Sequence, residues 1–216
     1  ILEPACGSAR LMEGLLRRGY KVQGFDLSES MVEYAKTRLE RLGLPSKVSV
    51  GDMTDFQVKG QIDMAFCLVS TFKYLLTEKA AKDHLACVAD ALAPGGIYVL
   101  GFHLSDYEDR RKDKEVWHGK RGRTSVECRI DSWPPDPKSR REKLRARLTV
   151  QKPTKTEGVE TEWEFRTYDA PQFKRLLKKV PALSHVATYN FEYEADEEIE
   201  FGDEYLDSVL ILKKSK

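Results

Sequence analysis

Apolar positions along the chain follow two regimes, and the change from one to the other divides it. In the first half, short apolar runs alternate with helical stripes. Residues 1–4 read as the end of a buried strand that runs into the turn Ala5-Cys6-Gly7, and Leu11, Met12, Leu15 and Leu16 then form one helical stripe with Gly19 at a C-cap position. Residues 22–25 predict a second strand, closed by Asp26. Ser28 or Ser30 caps a helix with Met31, Ala35, Leu39 and Leu42 on one face, stopped by Gly43 and Pro45. A third strand is expected over residues 48–50, and the near-continuous apolar run 62–69 predicts a strand buried on both faces. A helix over 78–93, a Pro94-Gly95-Gly96 turn and a strand over 97–102 complete this half.

In the second half the period shortens to two. Val126, Cys128 and Ile130 alternate with charged residues, as do Leu144, Ala146, Leu148 and Val150, and then Trp163 and Phe165; three half-buried antiparallel strands follow. A helix opened by Asp169 and strands near residues 186–191 and 208–212 end the chain. The fold class expected is α/β: a Rossmann-like, doubly wound, mostly parallel seven-stranded sheet whose last strand is antiparallel, plus a small inserted antiparallel sheet. One domain is expected, with a cofactor-binding half (1–104), inserted strands (123–168) and a C-terminal helix and hairpin (169–216).

The 216 residues carry 36 Lys and Arg against 35 Asp and Glu, a balance that gives no global field to draw in nucleic acid or an anionic membrane. Ser132-Trp133-Pro134-Pro135 looks like the Pro-Pro loop of enzymes that methylate bases, but it falls between inserted strands and reads as an ordinary turn. No apolar run is long enough to span a bilayer. Four scattered cysteines without paired spacing argue against zinc and against a disulfide framework, so no metal is expected and a reducing cytoplasm is. With Ile at position 1, the chain is expected to begin inside its first strand, its preceding residues missing.

The strand, Gly turn, helix and acid-ended strand over residues 1–26 are the layout that holds a nucleoside's ribose. A dinucleotide wants more glycines for its pyrophosphate, and Ala9 and Met12 stand where they would be. That disfavours a NAD-dependent oxidoreductase and favours a cofactor with no phosphate to cradle.

The runs Glu3-Pro4-Ala5-Cys6-Gly7-Ser8-Ala9-Arg10, Gly24-Phe25-Asp26-Leu27-Ser28, Gly51-Asp52-Met53 and Ala93-Pro94-Gly95-Gly96 resemble the class I S-adenosylmethionine-dependent methyltransferases, over roughly the first half of the chain. The sequence departs from that family in having Ala9 where another glycine often stands. The resemblance implies S-adenosylmethionine as cofactor and S-adenosylhomocysteine as product. It implies that Glu3, Ala5, Cys6, Gly7 and Arg10 surround the methionine part, that Asp26 accepts the ribose hydroxyls, and that Asp52 and Met53 hold adenine, with Leu27, Met31, Leu68 and Val69 beside them. The inserted strands resemble those of small-molecule methyltransferases, including enzymes acting on amines of amino sugars, with the apolar face as a roof over substrate. N-methylation is thereby preferred over O-methylation. A small-molecule partner, no nucleic acid and no membrane are expected; the oligomeric state stays open, a homodimer being one option.

Ligands of parallel sheets sit beyond the carboxyl ends of the strands, which singles out the loops after residues 67 and 102. His103 is the candidate base, because imidazole changes charge near neutral pH, with Tyr74 as a second catalytic candidate. Ser70 and Thr71 are candidates to orient the acceptor, and Trp117 and Trp133 to line the roof. A non-catalytic binder of S-adenosylmethionine or S-adenosylhomocysteine is the rival reading.

Overall fold

The computed structural model describes residues 1–194 and 196–215, which fall into two compact units. The first comprises, of these, residues 1–72, 77–104, 170–194 and 196–215. Its strands are β1 (Leu2–Pro4), β2 (Gln23–Asp26), β3 (Val48–Val50), β4 (Ile62–Cys67), β5 (Leu92–His103), β10 (Leu183–Tyr189) and β11 (Asp207–Lys214), laid side by side in the order β10-β11-β5-β4-β1-β2-β3. The strands from β3 to β5 are mutually parallel, while β11 runs antiparallel to both its neighbours. This is the doubly wound sheet expected from the alternation, with its antiparallel last strand.

Helices α2 (Glu29–Arg41), α3 (Glu78–Ala91) and α4 (Ala170–Leu177) begin at side-chain acceptors, whereas α1 (Arg10–Leu16) follows the left-handed Ala9 with no side-chain cap. Ser28 Oγ accepts from the Met31 N–H and Thr77 Oγ1 from the Ala80 N–H, each satisfying a donor that the first helical turn leaves open. At α4 the Ala170 N–H donates to Asp203 Oδ1 at 2.7 Å. Val32, Ala35 and Leu39 of α2 and Met12 and Leu16 of α1 form one buried cluster with Val22 and Val48. Met31 and Leu42, placed on the inward stripe by their spacing, are instead exposed.

The approach of α1 to β2 depends on Gly24. A Cβ there would stand 2.8 Å from Met12 Sδ and 3.0 Å from both Cys6 Cβ and the Glu3 carbonyl oxygen. Gly24→Ala is expected to lower unfolding free energy by about 1–3 kcal/mol, measured by denaturant titration, because the contacts are with close-packed atoms rather than a flexible tip.

Pro94-Gly95-Gly96 is not a separate turn. It lies within β5, whose pairing with β4 shifts register between Ile62 and Met64, and Gly95 takes φ +77°. Two steps along β4, from Ile62 to Met64, face five along β5, from Leu92 to Ile97, so three residues of β5 loop out where the sequence predicts a turn.

The second unit comprises residues 73–76 and 105–169, wider than the 123–168 expected. It is a four-stranded antiparallel sheet of β6 (Asp113–Arg121), β7 (Thr124–Ser132), β8 (Arg141–Lys152) and β9 (Lys155–Arg166). Three strands were expected; β6 is the addition. Every residue of β6 is exposed, so it carries no apolar alternation to betray it. One face holds charged rows, Asp131 opposite Arg145 opposite Glu162, and Arg129 opposite Arg147 opposite Glu160. Asp131, 1% exposed, is held by Arg129 at 2.7 Å and Arg145 at 3.5 Å. The other face carries Ile130, Ala146, Leu144 and Trp163. No helix among the described residues is long and apolar enough to cross a membrane.

Candidate active site

At the carboxyl ends of β1 and β4 a cavity of about 210 Å³ opens, lined by Glu3, Pro4, Ala5, Cys6, Gly7, Ser8, Arg10, Leu11, Cys67, Leu68, Val69 and Thr71. The chain forms it by a turn with unusual backbone angles: Ala5, Gly7 and Ala9 take φ of +53°, +50° and +56°. Left-handed conformations are easy for Gly and costly for Ala, so this turn holds strain of about 1 kcal/mol at each alanine. Ala9 keeps the left-handed shape that a glycine would take; its methyl is fully buried. A Cβ on Gly7 would meet nothing within 4 Å, so that side of the turn faces open space.

Two carboxylates frame the turn. Asp26, ending β2, accepts from the Gly7 N–H through Oδ2 (2.8 Å) and from the Ser28 N–H through Oδ1 (2.9 Å), which ties the turn to the second strand. Glu3 is 6% exposed, and its Oε2 is buried with no hydrogen-bond partner. Burial pushes its carboxyl up to about 8, against opposing pulls from the Met12 N–H and the charge of Arg10; the nearby Asp26 adds to the rise. A buried carboxyl oxygen without a partner makes ionisation costly, and a cationic group placed beside it would offset that cost. Burial also pushes the Cys6 and Cys67 thiols up to about 12, so neither is a ready nucleophile.

Asp52 and Met53 follow β3 in a tight turn, in which Asp52 Oδ1 accepts from the Thr54 N–H (2.7 Å) and hydroxyl (2.8 Å). Leu27 and Met31 are exposed apolar side chains just beyond Asp26, at 70% and 44%. After β4 the backbone is strained again: Val69 and Ser70 both have positive φ, 56° and 59°, and a β-branched residue there is a true outlier. The turn is pinned by the Ser70 N–H to the Gly101 carbonyl (3.1 Å), and Ser70 Oγ lies 2.9 Å from Nδ1 of His103 at the end of β5. Ser70 is buried with its hydroxyl on His103, not presented as the sequence reading had it.

The structure thus brings Glu3, Ala5, Cys6, Gly7, Arg10, Leu68, Val69 and Thr71 to one cavity, with Asp26 hydrogen-bonded to its rim. Tyr74, Trp117 and Trp133 belong to the other unit. Tyr74 packs edge-on to Phe165 (4.8 Å between ring centres), Trp117 is half exposed on β6, and Trp133 has Lys112 Nζ 4.0 Å from its ring centre. Sequence reasoning missed His84 and Tyr98, both fully buried, because a histidine on a helical stripe and a tyrosine in a strand look like ordinary core.

Residues 1–96 match the model of a methyltransferase domain family. The first 96 residues are thus similar to methyltransferase domains. A sugar N,N-dimethyltransferase of Saccharopolyspora spinosa, acting on dTDP-4-amino-2,3,4,6-tetradeoxy-D-glucose, is 31% identical over 100 residues, 46% of this chain and 39% of that one. A dTDP-3-amino-3,4,6-trideoxy-alpha-D-glucopyranose N,N-dimethyltransferase of Streptomyces venezuelae is 30% identical over the same length, 46% of this chain and 40% of its own. The chain thus spans about two fifths of the length of these curated relatives. Among solved structures, an S-adenosylmethionine-dependent methyltransferase from Clostridium acetobutylicum superposes with a TM-score of 0.80 at 16% identity, over all of this chain and 83% of that one. The S-adenosylmethionine-bound amino pentose methyltransferase of Micromonospora echinaspora gives 0.76 at 16% identity, over 99% of this chain and 82% of its own. At such identities these two show the shared fold.

Proposed function

We propose that the chain is an S-adenosylmethionine-dependent methyltransferase acting on a small molecule, and that the acceptor atom is an amine. The observation that carries this is Glu3: a buried carboxyl at a glycine turn, one of its oxygens without a partner, suits an ammonium-bearing amino-acid tail. Once ionised, the same group would repel a pyrophosphate, which speaks against a dinucleotide and hence against an oxidoreductase. S-adenosylmethionine supplies an activated methyl group on a sulfonium. The chain's own residues hold it: Glu3 with the Ala5–Gly7 turn and Arg10 at the amino-acid end, Asp26 at the ribose, Asp52 and Met53 at adenine, with Leu27, Met31, Leu68 and Val69 covering apolar surface.

The preference for nitrogen rests on the two sugar N,N-dimethyltransferases and on structural neighbours described as amino pentose and sugar N-methyltransferases. An amine must lose its proton before it attacks. His103, at the end of β5, is the candidate acceptor of that proton; with the proton of the neutral ring on Nδ1 and donated to Ser70 Oγ, Nε2 carries the lone pair. Ser70 is therefore a positioning residue, and Thr71 stays a candidate to orient the acceptor.

The test is isothermal titration with S-adenosylhomocysteine, followed by a screen of amino-sugar nucleotides and their hydroxyl counterparts for S-adenosylhomocysteine release. Binding without turnover of any acceptor would establish the non-catalytic rival. With an active acceptor, His103→Ala is expected to lower kcat by about 10²- to 10⁴-fold, and Ser70→Ala to shift the pH profile while leaving cofactor affinity within about twofold. An unchanged kcat for His103→Ala would remove it from the chemistry.

A further inference from the structure

The core of the first unit contains a buried hydrogen-bonded chain that the proposed function leaves unused. His84, on α3, has Nδ1 2.9 Å from the Met53 carbonyl oxygen and Nε2 2.7 Å from the Tyr98 hydroxyl on β5. Tyr98 lies on β5 beside β4, whose last residue, Cys67, lines the cavity. His84 and Tyr98 are fully buried, and the rings of Phe56 and Phe72 stand 6.5 and 5.8 Å from the imidazole. The chain therefore runs from the Asp52–Met53 turn through His84 on α3 to Tyr98 in the sheet.

Only one arrangement of protons satisfies every member. A carbonyl oxygen accepts and cannot donate, so His84 Nδ1 carries the hydrogen. In the neutral ring Nε2 then has a lone pair and accepts from the Tyr98 O–H. Burial holds the imidazole neutral by drawing it down to about 4, so this arrangement persists across the ordinary pH range. Other bonds flank the turn rather than hold Met53: the Gly51 N–H donates to the Asp26 carbonyl (3.0 Å), Asp52 and Thr54 bond each other, and one helical turn along α3 Cys87 Sγ stands 3.6 Å from the Thr54 carbonyl oxygen.

We infer that His84 is a positioning residue for the nucleoside end of the cofactor: held between Met53 and Tyr98, it fixes the Asp52–Met53 turn in the shape that distinguishes adenine from other bases. The inference rests on the proposed function, since it takes that turn to be the adenine contact. Removing the Tyr98 hydroxyl leaves Nε2 without its donor in the core, and replacing the imidazole frees the Met53 carbonyl; both changes loosen the turn without touching the residues that meet ligand.

Two measurements test it. In the ligand-free chain, long-range ¹⁵N correlation spectra of the His84 ring are expected to show a protonated Nδ1 and an unprotonated Nε2 from pH 5 to 9; an Nε2–H tautomer or an imidazolium overturns the arrangement. Second, titration calorimetry compares S-adenosylhomocysteine with S-inosylhomocysteine, which has an oxygen in place of the adenine amine. The wild-type preference for the adenine ligand is expected to fall about three- to tenfold in Tyr98→Phe, and further in His84→Leu. A merely structural role would weaken both ligands in equal proportion and leave the ratio unchanged, which would overturn the inference. Tyr98→Phe removes a single atom, so the ratio stays readable should His84→Leu fail to fold. A wild-type chain that binds neither ligand sinks the proposed function together with this reading, whereas one that discriminates while both variants keep its ratio sinks this reading alone.

Discussion

Glu3→Gln is expected to have two opposite effects: a higher melting temperature for the ligand-free chain above pH 8, and an affinity for S-adenosylhomocysteine lower by about 10- to 100-fold. The first follows from linkage. The Glu3 carboxyl is raised from an ordinary value near 4.5 to about 8 in the folded chain, so between those pH values the folded state holds a proton that the unfolded state has lost. Its contribution to stability is thus fully present below about pH 4.5 and is lost as pH rises through 8, where a buried carboxylate must form. Glutamine has the same shape and no proton to lose. Scanning fluorimetry of the wild type and the variant at pH 6 and pH 9 should show the wild type losing more of its melting temperature between them. The second effect follows because a cationic ligand calls for the ionised form: wild-type affinity should climb with pH and level off above 8, and the variant should lose a charge-assisted hydrogen bond and that climb together. A wild-type affinity that is flat between pH 6 and 8 would take Glu3 out of the binding site.

Asp26→Ala is expected to weaken S-adenosylhomocysteine binding by about 1–3 kcal/mol and to destabilise the ligand-free chain as well. The stability effect is specific to this structure. Asp26 accepts from the Gly7 and Ser28 backbone N–H groups, so its removal strands two donors, one of them on the turn that lines the cavity. Asp26→Asn retains one oxygen for one of these donors and should lie between wild type and Ala in both melting temperature and affinity. Calorimetry and thermal melting of the three proteins check the ordering. An Asp26→Ala variant with undiminished affinity would mean that the carboxylate serves the turn alone.

Much of the first unit was legible because local signals agree with one another there. The Ser28 cap, the acid ending β2 and the apolar run through β4 each predict the same parallel layering, and the residues placed at strand ends by that reading largely meet at one cavity. What escaped was carried by tertiary contact. The register break at Gly95 depends on strand pairing with β4, and the bonding of His84 depends on bringing Met53 and Tyr98 to one helix from 31 and 14 positions away. Ser70 was read as substrate-facing from its loop position; its left-handed backbone, which turns the hydroxyl to His103, has no signature in a residue that is not glycine. β6 escaped for the opposite reason, since a fully exposed strand needs no apolar alternation.

That exposed strand has a consequence for the protein's behaviour in concentrated solution. An open sheet margin is a template onto which a neighbouring molecule can lay an extended segment, and the second unit has two such margins, β6 and β9. Both are studded with ions: Asp113, Lys114, Glu115, Lys120 and Arg121 on one, and Lys155, Glu157, Glu160, Glu162 and Glu164 on the other. An incoming strand would have to strip water from these groups along its whole length, so the sheet resists growing into a fibre and stays four strands wide.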